Sequence, residues 1–212
     1  FYDDYTFLNN FVSFVETKNF NEKLSLLFEQ HNEHRIAFNR LSFFLFFVLF
    51  DEVNFKLIPF IGNSALLVLL LVLFRGSHVF QEKRHLLIPI TILLFQMQNW
   101  ENMTWGIASL SNYFVLCFVG LTFYFMARES KRGMVWAILF AVLASFTQGS
   151  GIGVFICGFI YLLLGKKQSE NFIWSGMALL VFFLYFQNYE KPWHHPSILN
   201  AISKPHHLAE YF

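Results

Sequence analysis

The hydrophobic residues of this chain are gathered into long runs that are separated by short polar segments. Such runs predict membrane-spanning helices, because about 20 consecutive apolar residues are needed to cross a bilayer. The clearest runs cover residues 57–74, 86–97, 107–126, 134–146, 152–164 and 172–186. Several of them are shorter than this, so we expect tilted helices or buried polar ends. The pattern predicts an all-α protein with a polytopic transmembrane helical bundle over residues 36–187.

The two ends of the chain have a different pattern. Residues 1–35 mix acidic, basic and apolar positions, and the apolar ones recur at helical intervals. This spacing predicts an external loop with one or two interfacial helices that lie on the membrane surface. Residues 188–212 are polar and are expected to form an external tail. The chain begins with Phe1 rather than Met, so we expect it to be part of a longer protein that also continues beyond Phe212.

Basic residues in the loops predict the orientation of the bundle, because short loops rich in Lys and Arg stay in the cytoplasm. The basic loops are 75–85, 127–133 and 165–170. The loops that alternate with them are 51–56, 98–106 and 147–151, which contain only one basic residue, Lys56. We therefore expect the first set to be cytoplasmic and the second set, together with the tail, to face outward.

The stretch 36–50 complicates this orientation. A helix that crossed the membrane there would place residues 1–35 inside, although this acidic segment is expected outside. Either the stretch is a partly inserted hairpin or interfacial helix, or one loop is assigned to the wrong side. The apolar run is short and Arg35 and Arg40 flank its start, which favours partial insertion because charged residues are costly inside a bilayer.

Composition supports a membrane protein and excludes other classes. Hydrophobic residues make up 56% of the chain and charged residues only 14%, whereas soluble domains contain roughly 25% charged residues. A soluble cytosolic enzyme and a disordered chain are therefore excluded. The net charge of +1 is too small for a nucleic-acid-binding protein, which must offset many phosphates.

Two polar clusters in the first forty residues are candidates for chemistry. Asp3 and Asp4 could hold a divalent cation, or one of them could take a proton from an attacking hydroxyl, although a solvated acidic turn explains them equally simply. The second cluster, residues 30–35 followed by Arg40, stands directly before an apolar run. It could be a helix start with an Asn N-cap, or its Arg and His side chains could bind a phosphate at head-group depth.

A third cluster lies in the predicted outer loop 98–106. Its two tryptophans, Trp100 and Trp105, are typical of an interfacial belt. Glu101 is less expected, because a carboxylate between apolar spans is costly unless it is paired or hydrated. The turn at Gly149–Gly151 offers little side-chain bulk and favours close backbone approach or helix contact. The pairs His194–His195 and His206–His207 are expected in a flexible polar tail rather than in a metal site.

The order of these clusters resembles a group of bacterial polytopic membrane proteins, the glycosyltransferases of the GT-C superfamily. The resemblance covers residues 3–153 and rests on Asp-Asp-Tyr, Gln-His-Asn-Glu-His-Arg-Ile, Trp-Glu-Asn-x-x-Trp-Gly and a Gly-Ser-Gly turn. It implies transfer of a sugar from a polyprenyl-phosphate-linked donor to a glycan, lipid or protein acceptor. The site would face outward from the bacterial cytoplasmic membrane, and a first transmembrane helix would precede Phe1.

The resemblance also implies residue roles. Asp3 or Asp4 would be the catalytic carboxylate, with Mg²⁺ or Mn²⁺ as a cation that the pair could hold. The remaining residues would bind substrate. The arginines and the histidine would face the leaving phosphate, and the loop residues would face the sugar. These are Glu33, His34, Arg35, Arg40, Trp100, Glu101, Asn102 and Trp105. Two other functions stay open, a transporter and an accessory or structural subunit of a membrane complex.

Overall fold

The computed structural model describes the backbone of residues 2–191 and the side chains of residues 7–191. This part of the chain consists of helices and turns and contains no β-strand. The helices are α1 Tyr2–Glu16, α2 Phe20–Phe28, α3 Ala37–Phe50, α4 Leu57–Gly76, α5 His78–Glu82, α6 Leu87–Leu94, α7 Trp100–Thr104, α8 Gly106–Met126, α9 Lys131–Ser145, α10 Gly153–Leu164 and α11 Gln168–Phe186. The prediction of an all-α chain is confirmed.

Within the part of the chain that the structure describes, three helices are long and apolar enough to cross a membrane, namely α4, α8 and α11. Each coincides within a few residues with a predicted span, because a long apolar run satisfies its backbone groups within its own helix. Helices α3 and α10 are apolar but shorter. The complete polytopic bundle over residues 36–187 therefore stays a prediction beyond these three spans.

Helices α4 and α8 run parallel and are closely packed. Gly62 of α4 lies against Ser109 of α8, and Gly120 of α8 lies against Leu69 of α4, about two turns further along α4 and about three turns further along α8. Because the two helices are parallel, the connecting segment 77–105 must return along their length. The predicted continuous span over residues 86–97 is wrong as a helix: α6 ends at Leu94, and the chain bends before the next helical turn.

The three basic loops lie together at one end of the bundle. Gly76, at the end of α4, packs near Tyr124 of α8, and Lys167 forms an ion pair with Glu129 at 2.8 Å. The hydrogen bond that Lys167 donates to the Glu129 carboxylate raises the pKa of Lys167 above its usual range. The basic loops are therefore grouped at one end of the bundle, as their alternation with the other loops in the sequence predicts. The side of the membrane on which each end lies stays a prediction.

Helix α3 lies across the opposite end of the bundle. Its first turn is held by the backbone N–H of Phe38, which donates to the carbonyl of Phe146 at 3.0 Å just after α9. Its last turn leads through residues 51–56 into α4 at the same end. Phe43 lies between them in a core cluster with Ile58 and Ile107. Both ends of α3 are thus on one side of the bundle.

The hairpin of α1 and α2 packs on the outside of α3. Phe7 contacts Phe43 with ring centroids 4.4 Å apart, and the ring of Phe11 lies 5.6 Å from that of Phe47. Helix α2 carries no buried residue and is held mainly through its end. The N-terminal segment therefore forms a layer of short helices over the end of the bundle away from the basic loops.

Candidate binding groove

Residues 30–35 form a tight turn rather than the start of a helix. The backbone N–H of His31 donates to the carbonyl of His34 at 2.7 Å, and the N–H of His34 donates back at 2.9 Å. Asn32 takes the left-handed backbone conformation, with φ of 50°, which asparagine tolerates better than most residues. The interpretation of Asn32 as a helix N-cap is wrong, because α3 begins at Ala37.

Arg35 is buried, and each nitrogen of its guanidinium donates one hydrogen bond to the backbone. Its Nε donates to the carbonyl of Tyr185 at 2.6 Å, and its two terminal nitrogens donate to the carbonyls of Phe28 and Gln187. These carbonyls stand at the C-terminal ends of α2 and α11, where helix carbonyls lack intrahelical partners and carry partial negative charge. The side chain predicted to bind phosphate therefore joins two helix ends.

Arg40 is held in the same way. Its Nη1 donates to the carbonyls of Leu27 and Glu29, and its Nη2 lies 3.9 Å from the Glu29 carboxylate. Burial lowers the pKa of Arg40 to about 10, so the side chain remains charged at neutral pH. Both arginines thus stabilise the C-terminal end of α2, which has no buried residues of its own.

The chain after α11 is tied to the same turn. The side-chain amide of Gln30 donates to the carbonyl of Glu190 at 2.6 Å, and the N–H of Glu190 donates back to Gln30 at 2.9 Å. This two-way pairing acts like one rung of a β-ladder. Together with the Arg35 bonds it fixes residues 185–190 against residues 28–35.

The contact between residues 28–35 and residues 185–190 is called the clasp below. Glu33 and His34 lie beside it. The Nε2 atom of His34 is 3.5 Å from the Glu33 carboxylate, and the hydroxyl of Tyr185 accepts from the N–H of Arg35 at 3.2 Å. Gly149 allows the close approach, because a Cβ there would lie 2.7 Å from His34 Nδ1 and 3.0 Å from the Tyr185 hydroxyl. Part of the glycine turn found in the sequence is therefore explained by close packing.

A groove of about 1310 Å³ opens beside the clasp. One wall is a face of α2, and the other is formed by α9 and by the end of α11 with the residues that follow. We call it the clasp groove, and its lining consists of Asn21, Leu24, Ser25, Phe28, Glu29, Gln30, Asn32, Arg35, Val142, Phe146, Leu184, Gln187, Asn188, Glu190 and Lys191. Apolar side chains from the bundle face polar ones from the turn and from the segment after α11.

The predicted residues of the loop 98–106 are placed elsewhere. Trp100 and Glu101 are exposed on α7, and the Asn102 side chain accepts a hydrogen bond from Asn112 of α8 at 2.9 Å. Trp105 directly follows α7 and precedes α8. Among the described residues that line the clasp groove, none belongs to this segment. The structure therefore brings Glu33, His34, Arg35 and Arg40 together, but not with the residues of α7.

The predicted catalytic pair can be placed only through its backbone. Asp3 and Asp4 are in the first turn of α1, and their side chains lie outside the described residues. Asn10 donates to the carbonyl of Leu26 at 3.3 Å and Thr17 donates to Glu22, so the hairpin is antiparallel and the start of α1 is directed toward the turn at residues 30–35. Among residues 7–191 no group of three or more potential ligands could hold a metal ion.

Several residues of this site were missed by the sequence interpretation. Gln30, Tyr185, Gln187, Asn188 and Glu190 form or line the groove, although only the first belongs to a predicted polar cluster. Their relation depends on contacts between segments about 150 residues apart, which no local pattern reveals.

The paired histidines of the tail lie outside the described residues. Comparisons with models of protein families, with curated proteins and with solved structures found no match to this chain.

Proposed function

We propose that this protein is a membrane glycosyltransferase that moves a sugar from a polyprenyl-phosphate-linked donor to a glycan, lipid or protein acceptor. The observation that supports it best is the clasp groove, which is lined by apolar side chains of the helices and by polar side chains of α2, the turn and the segment after α11. Ligand pockets commonly combine an apolar lining with a few polar groups that orient the ligand. Such a groove suits a ligand with a lipid tail and a polar head.

The position of the groove supports the direction of the reaction. The clasp groove lies at the end of the bundle away from the basic loops, and loops rich in Lys and Arg stay in the cytoplasm. The site would then face outward from a bacterial cytoplasmic membrane, where a lipid-linked sugar is available and a nucleotide sugar is not.

In this proposal Asp3 or Asp4 removes the proton from the acceptor hydroxyl, with or without a Mg²⁺ or Mn²⁺ ion bound to the pair. The acceptor oxygen bonds to the anomeric carbon while the bond from that carbon to the lipid phosphate breaks, and the phosphate leaves with the electron pair. His34 would stand nearest the departing phosphate, with the Glu33 carboxylate beside its imidazole at 3.5 Å. Trp100, Glu101, Asn102 and Trp105 stay predicted sugar-binding residues of the neighbouring segment.

The arginines have a modified role in this proposal. Because Arg35 and Arg40 donate to backbone carbonyls, we assign them as positioning residues that hold α2 and the segment after α11, and not as direct phosphate ligands. Their positive charge would still favour an anion nearby. A preorganised site of this kind needs supporting side chains that do not move during the reaction.

The test is a transfer assay with the chain in nanodiscs of bacterial phospholipid. Radiolabelled polyprenyl-phosphate mannose, glucose and galactose are supplied with a bacterial membrane extract as the source of acceptors. We expect one donor to be consumed, and the double change Asp3→Asn and Asp4→Asn to lower its consumption by at least about 100-fold, as for loss of a general base. Asn9→Ala, on an exposed position of α1, serves as the control.

A second candidate function is an accessory subunit of a membrane complex. It is favoured by the engagement of both arginines with the fold, because the hydrogen bonds that they donate go to backbone carbonyls rather than to a substrate. If no donor in the panel is consumed and a membrane protein copurifies in fixed proportion with the chain, the glycosyltransferase proposal fails and the accessory role replaces it.

A further inference from the structure

The polar lining of the clasp groove has a chemistry of its own. We infer that the clasp groove binds the neutral, hydroxyl-rich head of a glycoside that carries an alkyl tail, and that it does not bind a phosphate head. This inference rests on the proposed function in one respect, since it assigns the groove to the acceptor side of the transfer.

The charges in the groove argue against a phosphate. Arg35 is the most deeply buried cation in the lining, and three of its N–H groups already donate to backbone carbonyls. Lys191 is the second cation of the lining and is exposed. Glu29 and Glu190 are exposed at the same groove, and their carboxylates repel an anionic head. The backbone carbonyls therefore compete with a phosphate for the Arg35 guanidinium, whose two-pronged geometry phosphate binding favours.

The amides in the groove favour hydroxyl groups instead. The side chains of Asn21, Asn32 and Asn188 line the groove, and none of these three side chains bonds to another residue of the part that the structure describes. Each amide can donate and accept a hydrogen bond, which matches a sugar hydroxyl that also does both. Asn32 and Asn188 both have the left-handed conformation, with φ of 50° and 52°, at two turns on opposite walls.

The apolar side of the groove fits the rest of such a ligand. Phe28 and Phe146 meet edge to face, with ring centroids 5.2 Å apart, and offer an apolar surface to the C–H face of a sugar. Leu184 continues this surface onto α11, and Leu180, one turn earlier in the same helix, is also exposed. An alkyl tail could follow this row of leucines along the outside of the bundle, so the head and tail of one ligand would each meet matching chemistry.

The test uses two photoreactive probes with the same diazirine-bearing octyl chain, one an octyl β-glucoside and the other an octyl phosphate. The chain is kept in phosphatidylcholine nanodiscs, and labelled peptides are mapped by mass spectrometry. We expect the glucoside to label residues 21–32 and 184–191 and the label to be displaced by excess unmodified octyl glucoside. The phosphate probe should label these peptides no more than the rest of the lipid-facing surface.

Variants at Asn32 and Asn188, the two asparagines with a left-handed backbone conformation, test whether the labelling depends on the amides of the groove. Asn32→Gly and Asn188→Gly remove an amide without backbone strain, and together they should lower glucoside labelling about tenfold through loss of their hydrogen bonds. Lys166→Gly is the matched control, because Lys166 has φ of 55° and lies at the opposite end of the bundle. Unchanged labelling in the double variant, no labelling of these peptides, or equal labelling by the phosphate probe would each overturn the inference.

The two proposals fail in different ways. If the glucoside labels the groove but no lipid-linked donor is consumed, glycoside binding stands and the transferase proposal fails. If a donor is consumed and the phosphate probe labels the groove as strongly as the glucoside, the transferase stands and the assignment of the groove to a neutral head fails.

Discussion

The side chain of Arg35 joins the end of α2 to the end of α11 through backbone carbonyls. A cation buried without partners would cost several kcal/mol, and the carbonyls at two helix ends offset this cost because they too need partners. The same reasoning applies to Arg40 and the carbonyls of Leu27 and Glu29. At the scale of single residues, the two arginines that resemble phosphate ligands in the sequence are used to hold short segments in place.

Replacing Arg35 with Lys tests this role directly. Arg35→Lys keeps the charge, but one ammonium group cannot reach carbonyls on both sides of the clasp as the planar guanidinium does. We expect the free energy of unfolding to fall by about 2–4 kcal/mol, measured by unfolding in mixed detergent micelles. The control Arg128→Lys changes an exposed arginine beside Tyr124 and should alter stability by less than about 0.5 kcal/mol. Equal stability of both variants would contradict the role.

Gly149 and Gly153 form a matched pair for the packing beside the clasp. A methyl group at Gly149 would collide with His34 and Tyr185, whereas one at Gly153 meets nothing within 4 Å. We expect Gly149→Ala to destabilise the protein by about 1–3 kcal/mol through overpacking. Gly153→Ala should be neutral or slightly stabilising, because Ala favours a helix more than Gly does. Thermal unfolding of the two variants measures the difference, and a stable Gly149→Ala variant would show that the turn can move aside.

Helices α10 and α11 pack through a second close approach. Trp174 is fully buried and donates from its indole N–H to the carbonyl of Phe155 at 2.8 Å. Gly158 lies directly over the indole, and a Cβ there would come within 2.4 Å of the ring. The absence of a side chain at Gly158 therefore sets the distance between the two helices, as small residues commonly do in membrane bundles.

This packing predicts opposite results for two glycines of the same helix pair. Gly158→Ala should separate the helices and lower the free energy of unfolding by about 1–3 kcal/mol. Gly176→Ala on α11 has open space around it and should leave stability unchanged or slightly higher. Resistance to unfolding by dodecyl sulfate measures both. If Gly158→Ala resists unfolding as well as Gly176→Ala, the contact with Trp174 does not set the spacing.

The sequence predicts an element well where the element is determined by its own residues, and poorly where it is determined by contacts with distant segments. The span 107–126 was located within one residue of α8, because a long apolar run forms its own helix in lipid. The run 86–97 is apolar too, yet its helix ends at Leu94 and Phe95 leaves the helical conformation, an end that the apolar pattern does not mark. Two of the three carbonyl partners of Arg35, those of Tyr185 and Gln187, were unpredictable because they lie about 150 positions away.

At the scale of the whole molecule, the two ends of the bundle differ in charge and in construction. The end with the basic loops is held by short contacts such as the Lys167–Glu129 ion pair. The other end carries α3, the hairpin of α1 and α2, and the clasp groove. Because α3 has both ends on this side of the bundle, the N-terminal segment and the loop at 51–56 are on one side, as partial insertion of residues 36–50 requires.

Cysteine labelling of intact bacterial cells with a membrane-impermeant maleimide tests this arrangement. In a background with Cys117→Ala and Cys157→Ala, single cysteines are placed at the exposed positions Glu52, Asn9 and Ser169. Because basic loops stay in the cytoplasm, Glu52→Cys and Asn9→Cys should react in intact cells and Ser169→Cys only after permeabilisation. If Asn9→Cys and Ser169→Cys react alike, α3 crosses the membrane, and the clasp groove does not face outward as proposed.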